Sequence, residues 1–352
     1  MTKMKLSGLK WLTLLAIIFL SCDNNENKPS GKFDDGVFVV NEGNFGTANG
    51  TISFISESNG AVTQDLFGSE NNGLALGDVV QSMTIHDDLA YIVVNNSNKM
   101  EVVQRSTFVS SYTLNGLALP RYFTVLDGKG YVTEWVSFTD PGRVSIVDLD
   151  AHAVTGSITT DFGAENIIAY QNLLYVSNTF TNTVSVLDPV AKKVIKTIEV
   201  GSAPGSFMID AQGLIWVICG GNYQSDDGKL VQIDPAKSND ENSESVAKTV
   251  ELSMNVSTKA VINKGKDKIF FFVGTSVYGV NTTDTAAPSA SLFTTAEASS
   301  FYGIGIDPET DILYLADAGG FDANGTVYRY STSGVLVDHV EAGLGPNGFA
   351  FE

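Results

Sequence analysis

The side chains best placed for chemistry in this sequence are aromatic residues in three similar glycine-rich loops. The loops have the sequences EGNFGTANG (42–50), GGNYQSDDG (220–228) and DAGGFDANG (317–325). Each carries one aromatic residue near its middle, Phe45, Tyr223 or Phe321, and ends in Asn-Gly or Asp-Gly. Aromatic rings beside polar groups on exposed loops are typical of sites that bind small molecules or partners. The pattern therefore indicates binding chemistry and requires a framework that brings distant loops together.

Groups suited to acid–base or metal catalysis are few. The three histidines are His86, His152 and His339, and the repeat described below places them far from one another. The sequence contains no G-x-S-x-G, no CxxC and no phosphate-binding loop. Cys219 lies in the apolar run LIWVIC, which predicts a buried, unreactive thiol. We therefore predict a protein that is not an enzyme and has no catalytic residue, cofactor or metal.

A short strand-like motif recurs seven times along the chain. Its copies are VFVVN (37–41), YIVVN (91–95), GYVTE (130–134), LYVSN (174–178), IWVIC (215–219), FFFVG (270–274) and LYLAD (313–317). A second apolar strand follows each copy, for example VSIVD and VSVLD, and a further strand precedes each of the last six copies. Short strands rich in Val, Ile, Phe and Tyr, separated by Gly, Asn, Asp and Pro turns, predict an all-β fold.

Four strands in a repeat of about forty residues are typical of a β-propeller blade. Seven copies predict a seven-bladed β-propeller over residues 36–352. The sequence NGFAFE (347–352) is a seventh copy of the preceding strand. We expect this C-terminal strand to pair with N-terminal strands and close the ring, which leaves only short, protected edges. The polar stretch 237–247 is predicted to be a flexible insertion between the two outer strands of one blade.

The long loops that follow the recurring motif are expected on one face of the propeller, around the mouth of its central channel. The links that lead into each innermost strand fall on the same face. Residues from both sets form the predicted ligand site: Phe45, Arg121, Tyr122, Trp135, Asn166, Tyr223, Tyr302, Phe321 and Asn347. In the alternative interpretation, each aromatic residue covers the end of its own blade, and Asn-Gly only forms the hairpin turn.

Other polar residues near the predicted mouth have structural alternatives. Asn41, Asn95 and Asn178 share one position in the repeat and are expected to bond to nearby backbone or side chains. Glu42 and Glu134 are candidates for accepting a hydrogen bond from a ligand. A calcium site at Asp317, Asp322 and Asn324 is a further alternative, although the stretch lacks the dense oxygen ligands of a calcium loop.

The first residues form a targeting segment. An apolar run, WLTLLAIIFL (11–20), follows Lys3, Lys5 and Lys10 and is too short to span a bilayer comfortably. Ser21 and Cys22 follow it, which resembles a bacterial lipoprotein signal. That resemblance implies a signal peptide over 1–21, lipid attachment at Cys22 and a polar tether over 22–35. The acidic residues after the cysteine resemble surface-export signals, so we expect outer-membrane anchoring with exposure at the cell surface.

The charge of the chain excludes one class of partner. The formal net charge is −19 at pH 7, and the acidic residues are scattered along the sequence. Such a surface repels phosphate backbones, so the protein is not expected to bind nucleic acid.

The repeat resembles the YVTN-type, surface-layer-like propeller family. The unit LYVSNTFTNTVSVLDPVAKKVIKTIEVGSAPGSFMID (174–210) carries the motif strand, the V-x-V-x-D strand and the V-G-x-x-P link of that family. Together with the lipoprotein start and VNEGNFG (40–46), the layout resembles outer-membrane propellers that capture vitamin B12. The resemblance implies cobalamin capture for a TonB-dependent transporter. The alternatives are a structural or adhesive surface protein that binds a protein or glycan, and a lactonase-like enzyme.

Overall fold

The computed structural model describes Met1 and residues 31–351. Over this part of the chain it is a ring of seven four-stranded antiparallel sheets, which confirms the predicted seven-bladed β-propeller. The predicted signal peptide and Cys22 lie outside the described residues. The compact unit begins at Gly31. Phe33, in the stretch assigned to the tether, is buried against Phe54 and Phe108.

The first blades run as follows, from the innermost strand outward. Blade 1 contains β28 (Pro346–Phe351), β1 (Gly36–Asn41), β2 (Thr51–Ser56) and β3 (Val62–Thr63), and helix α1 (Leu66–Glu70) follows it. Blade 2 contains β4 (Val80–His86), β5 (Leu89–Val94), β6 (Lys99–Gln104) and β7 (Ser110–Asn115). Blade 3 contains β8 (Pro120–Leu126), β9 (Lys129–Glu134), β10 (Arg143–Asp148) and β11 (Ala153–Thr159). Blade 4 contains β12 (Ala164–Tyr170), β13 (Leu173–Asn178), β14 (Thr183–Asp188) and β15 (Lys193–Glu199).

The remaining blades repeat this order with one irregular member. Blade 5 contains β16 (Pro204–Ile209), β17 (Ile215–Cys219), β18 (Lys229–Ile233), a short 3-10 helix (Pro235–Lys237) and β19 (Val246–Glu251). Blade 6 contains β20 (Ala260–Ile262), β21 (Lys268–Val273), β22 (Ser276–Asn281) and β23 (Phe293–Thr294). Blade 7 contains β24 (Phe301–Ile306), β25 (Leu313–Asp317), a 3-10 turn (Gly319–Phe321), β26 (Asn324–Tyr330) and β27 (Leu336–Leu344).

The recurring motif forms the second strand of every blade, where the sheet is most deeply buried. All six residues of β1 and of β13 are buried. The apolar side chains on the two faces of each sheet pack against the neighbouring blades, and each such layer forms its own cluster. One cluster joins Val37 and Val39 of blade 1 to Tyr314 and Val327 of blade 7. The blades therefore bury one another, and no single core has to grow with chain length.

The ring is closed by pairing between distant parts of the chain. Strand β28 pairs antiparallel with β1, with Val37 opposite Phe351 and Val39 opposite Phe349. Blade 1 thus takes its innermost strand from the C-terminal part of the chain and its other strands from the N-terminal part. This confirms the predicted closure.

A β-bulge marks the mouth end of six of the seven innermost strands. Pairing with the second strand is interrupted at the start of β4, β8, β12, β16, β24 and β28, while β20 pairs regularly. The bulged residues are Gln81, Arg121, Tyr122, Glu165, Asn166, Gly205, Ser206, Tyr302 and Asn347. A bulge turns side chains out of the regular alternation. Here it places them in the central channel.

A left-handed residue precedes most of these bulges. The residue before β4, β8, β12, β16 and β28 has a positive φ in each case, namely Val79, Leu119, Gly163, Ala203 and Gly345. This conformation costs energy in a residue with a Cβ, above all in the β-branched Val79. The same sharp turn therefore occurs with different residue types in five of the seven links into the channel.

The insertion at 237–247 lies between β18 and β19, as predicted, but it is not a free loop. The Lys196 ammonium, on the outermost strand of blade 4, donates to the backbone oxygens of Lys237, Asp240 and Ser243 at 3.1, 2.7 and 2.5 Å. Lys196 is buried. The prediction of a flexible turn is therefore wrong, because a buried cation of the neighbouring blade orders the segment.

Within the described residues, no helix has both the length and the apolar character needed to cross a membrane.

Removing the chain from Pro346 onward should strongly destabilise the protein. The change deletes the innermost strand of blade 1 and exposes the hydrogen-bonding edge of the buried strand β1. We expect the melting temperature to fall by about 10 °C or more in thermal unfolding followed by circular dichroism. A synthetic peptide covering 345–352 should restore part of the loss. An unchanged melting temperature in the truncated protein would show that the ring does not depend on this pairing.

Candidate functional site

The bulged residues line a polar cavity of about 210 Å³ at the mouth end of the channel. Every bulged residue contributes to its wall, and the other contributors are Glu42, Thr258 and Lys259. Side chains from all seven blades therefore meet in one place. We call this the charged cavity, because it contains two carboxylates, Glu42 and Glu165, and two cations, Arg121 and Lys259.

Arg121 and Glu165 form the most completely bonded part of the charged cavity. The guanidinium binds the carboxylate through two hydrogen bonds, Nε to Oε2 at 2.8 Å and Nη2 to Oε1 at 2.9 Å. The Trp135 ring covers the guanidinium at 3.9 Å, and its Nε1 donates to Glu165 Oε2 at 2.8 Å. Only 12% and 14% of the two charged side chains are exposed. Two-point bonding and stacking fix the positions of both charges.

Glu42, Tyr302 and Asn347 form a second bonded group on the opposite part of the ring. The Tyr302 hydroxyl donates to Glu42 Oε2 at 2.6 Å, and burial next to this carboxylate raises the pKa of Tyr302. The Asn347 amide nitrogen lies 3.3 and 3.4 Å from the backbone oxygens of Val80 and Gln81. The phenol therefore stays protonated at neutral pH and donates one of the hydrogen bonds that the Glu42 carboxylate can accept.

Lys259 is the exception, because its charge is not matched by a carboxylate. Within the described chain it forms no salt bridge, and its ammonium donates to the backbone oxygens of Tyr302 and Asn347 at 3.1 and 2.6 Å. It also lies 4.7 Å from the centroid of the Tyr302 ring. Loss of hydration in the channel lowers the pKa of Lys259 to about 8, against the opposing effects of Glu42 and Glu165. An ammonium group placed this way is available to a further acceptor.

A second cavity of about 230 Å³ continues below the first and has a mixed polar and apolar lining. The two share six residues, and the deeper one adds Ser82 and Thr84 as well as the apolar Met83, Phe207, Val261, Ile304 and Phe349. Burial in the channel raises the pKa of Tyr122 to about 12. The channel therefore carries its carboxylates at the mouth and gains apolar side chains farther in.

The nine predicted ligand-site residues lie in different parts of the mouth. Arg121, Tyr122, Asn166, Tyr302 and Asn347 all line the charged cavity. The four predicted loop aromatics are placed less uniformly, as follows. Trp135 stacks on Arg121, Phe321 packs edge-to-face on Tyr302 with centroids 5.2 Å apart, Tyr223 lines an adjoining groove, and Phe45 is 79% exposed and lines none of these cavities.

Several other candidates have structural roles. Glu134 is fully buried and binds Arg143, Ser145 and the backbone nitrogen of Ala118. The Asn178 amide donates to Thr183 and Ser185, both at 2.9 Å. The Asp317 carboxylate accepts from Ser299 and from the nitrogen of Gly319, and Asn324 donates to Glu341. The Asp317 carboxylate is therefore already hydrogen-bonded within the protein.

The histidines and the cysteine lie away from the charged cavity. His86 ends β4, His152 stacks on Tyr112 beside β11, and His339 lies on β27. Cys219 is fully buried, and burial raises the pKa of its thiol to about 12. The described residues include no group of three or more His, Cys, Asp or Glu arranged to hold a metal ion.

Glu165 and Lys259 are the residues that sequence reasoning missed. Glu165 directly precedes the predicted Asn166, and Lys259 directly precedes the strand AVI of blade 6. Glu165 stands at the bulged repeat position that holds Arg121 in blade 3 and Tyr302 in blade 7, so aligning the innermost strands by this position would have found it. Lys259 directly precedes β20, which has no bulge, and the alignment does not single it out.

The fold and the site define a seven-bladed β-propeller whose mouth carries a closed ring of polar residues. The family described as "Domain of unknown function (DUF5074)" matches residues 35–343. The chain belongs to this family. A search of curated proteins found no significant match to the sequence.

Solved structures with the same architecture share little sequence with this chain. A quinonprotein alcohol dehydrogenase-like protein from Bacteroides thetaiotaomicron is 17% identical, with a TM-score of 0.71 over 91% of this chain and 78% of that one. A periplasmic gluconolactonase from Pseudomonas aeruginosa is 11% identical, with a TM-score of 0.64 over 90% of this chain and 98% of that one. At these identities the similarity establishes the fold alone.

Replacing Lys259 by methionine should change stability by an amount that depends on pH, in addition to a constant loss from the two carbonyls that lose their donor. The folded protein holds this lysine with a pKa of about 8 against an ordinary value of 10.5, so its charged form is disfavoured by folding. That destabilisation is fully present below pH 8 and disappears as the pH rises from 8 to 10.5. The melting temperature of Lys259→Met relative to wild type should therefore be highest at pH 7 and decline toward pH 10.

The control for this comparison is Lys196→Met, which removes another lysine whose ammonium is held by backbone oxygens. It leaves three carbonyls without their donor, so it should lower the melting temperature at every pH. A difference between wild type and Lys259→Met that does not change with pH would contradict the perturbed pKa of Lys259.

Proposed function

We propose that the protein is a ligand-binding propeller whose mouth recognises a small molecule carrying an anionic group. The proposal is carried by Lys259, a channel-lining ammonium with no carboxylate partner in the described structure. Three N–H groups radiate from an ammonium, and backbone oxygens take two of them. The third is free to bind a carboxylate or phosphate oxygen of a ligand.

The rest of the charged cavity supports this choice of ligand. The charge of Arg121 is matched by Glu165, whereas the Glu42 carboxylate accepts a hydrogen bond from the neutral Tyr302 hydroxyl and acts on Lys259 without bonding to it. An incoming anion would give Lys259 a directly bonded counter-charge in a place where water is restricted, and such a pair is stronger than one on the surface. The pairing of Arg121 with Glu165 also keeps the wall rigid, which lowers the cost of ordering the site.

Titration with simple anions tests the proposal. We expect propionate and inorganic phosphate to raise the melting temperature of the wild-type protein and to give saturable shifts in ligand-observed NMR. Lys259→Met should abolish both effects, whereas Lys196→Met, a lysine outside the channel, should keep them. Affinity should fall from pH 7 to pH 9 as Lys259 loses its proton. Equal binding by wild type and Lys259→Met would refute the proposed site.

The sequence resemblance points to cobalamin as the ligand and to its transfer to a TonB-dependent transporter as the role. The comparisons lend it no support. The charged cavity, at about 210 Å³, is smaller than the roughly 300–1,000 Å³ of sites that enclose drug-sized ligands. A corrinoid would therefore lie across the mouth and contact the rim aromatics Phe45, Trp135 and Tyr223. Phe45 and Tyr223 are exposed and free to make such contacts.

Calorimetric titration with cyanocobalamin separates this candidate from the small anion. Tight one-to-one binding that weakens in Trp135→Ala and Tyr223→Ala, and persists in Lys259→Met, would establish corrinoid capture at the rim. Absence of heat and of competition with phosphate would exclude it. The adhesive alternative predicts binding of a glycan or protein across the same rim, and the lactonase alternative predicts turnover of a lactone. No feature of the charged cavity favours either over binding alone.

We also propose that the chain is anchored by lipid at Cys22 in the outer membrane, facing the cell surface. The support is the sequence alone: three lysines, an apolar run and Ser21-Cys22, all outside the described residues. Such an anchor would hold the mouth near a membrane transporter.

Cys22→Ser should release the protein from the membrane fraction, with loss of acyl groups detected by mass spectrometry. Cys219→Ser is the matched control, because it removes the other cysteine of the sequence and should leave the protein membrane-bound. Membrane retention of Cys22→Ser with an unlipidated N-terminus would show that another element anchors the chain.

A further inference from the structure

A groove of about 300 Å³ leads away from the charged cavity along the mouth. Its floor and sides include Val256, Phe272, Phe301 and Tyr302, and the Tyr223 loop borders it. We call it the Tyr223 groove. It shares Thr258, Lys259 and Tyr302 with the charged cavity, so the two form one continuous surface.

The groove exists because blade 6 departs from the repeat. Strand β20 has only three residues and lacks the bulge, whereas the other innermost strands have six or seven. The chain before it, from Asn255 to Lys259, therefore runs across the mouth between blades 5 and 6. This segment is fixed by backbone bonds from Val256 to Gly220 (3.0 Å), from Ser257 to Phe272 (3.1 Å) and from Ser206 to Thr258 (2.9 Å). These backbone bonds fix the wall of the groove in the absence of ligand.

The chemistry of the groove differs from one end to the other. Lys259 is its one charged residue among the described lining, and it stands at the inner end. Away from it, the largely buried Phe272 and Phe301 contribute to the lining, and Tyr223 is 97% exposed. A fully exposed aromatic ring beside an apolar floor offers a surface that an apolar group can cover.

We propose that the ligand is an amphiphilic anion, such as an arylalkanoic acid, whose anionic group binds Lys259 and whose apolar group fills the Tyr223 groove. The inference rests on the proposed function, because it uses Lys259 as the anion-binding group. It adds the second half of the ligand. Tyr302 forms the corner between the two parts, with its hydroxyl held by Glu42 and its ring under the Lys259 ammonium.

Four compounds test the proposal: propionate, 3-phenylpropionate, 3-phenylpropionamide and inorganic phosphate. Burial of the phenyl ring should make 3-phenylpropionate bind roughly 10- to 100-fold more tightly than propionate, as measured by ligand-observed NMR or calorimetry. Tyr223→Ala should reduce this advantage about fivefold or more and leave the affinity for propionate unchanged. Phe45→Ala, which removes another exposed aromatic of the rim, is the control and should have no effect.

The outcomes separate this inference from the proposed function. If no anion binds, the proposed function fails and the inference fails with it. If propionate and phosphate bind but 3-phenylpropionate binds no more tightly than propionate, the anion site stands and the groove proposal is overturned. If the neutral amide binds as tightly as the acid, and equally well in Lys259→Met, the groove is an independent apolar site and the proposed single ligand is wrong.

Discussion

The polar mouth of this propeller depends on the irregular pairing of its innermost strands. Where seven strands converge on one axis, regular alternation would direct every second side chain into a crowded channel. The bulges at the start of six of these strands relax that constraint and turn one or two residues of each strand toward the axis. The fold and the site therefore depend on the same structural feature. The same local distortion that lets the blades meet also supplies the groups that can bind a ligand.

Much of the fold was predictable, because each copy of the repeat indicates the same set of strands. Any one strand such as IWVIC is ambiguous, but seven copies at similar spacing specify blades and their order. Arg121, Tyr302 and Asn347, three of the predicted ligand-site residues, line the charged cavity because they follow the links into the channel. Glu165 also lines it but was not predicted, although it adjoins Asn166. The two residues belong to one bulge, and a bulge has no residue signature of its own.

Other features depended on contacts that sequence patterns do not carry. Lys259 was missed because β20 starts late and has no bulge. Lys196 looked like an ordinary strand residue, yet its position is set by an insertion more than forty residues away. Phe45 and Tyr223 are both exposed, but only Tyr223 lines a groove at the mouth, whereas Phe321 packs on Tyr302. Similar loop sequences thus need not place their aromatic residues in the same surroundings.

Ring closure through β28 has a consequence for the order in which the protein becomes functional. Asn347, whose backbone oxygen binds Lys259, is carried by the strand that follows all others in the chain. During synthesis, blades 2 to 7 can form in succession as the polypeptide emerges, while blade 1 waits for its innermost strand. The mouth is therefore incomplete until translation has passed this strand. A nascent or prematurely ended chain would leave the pairing edge of β1 open to other strands and would lack a finished site.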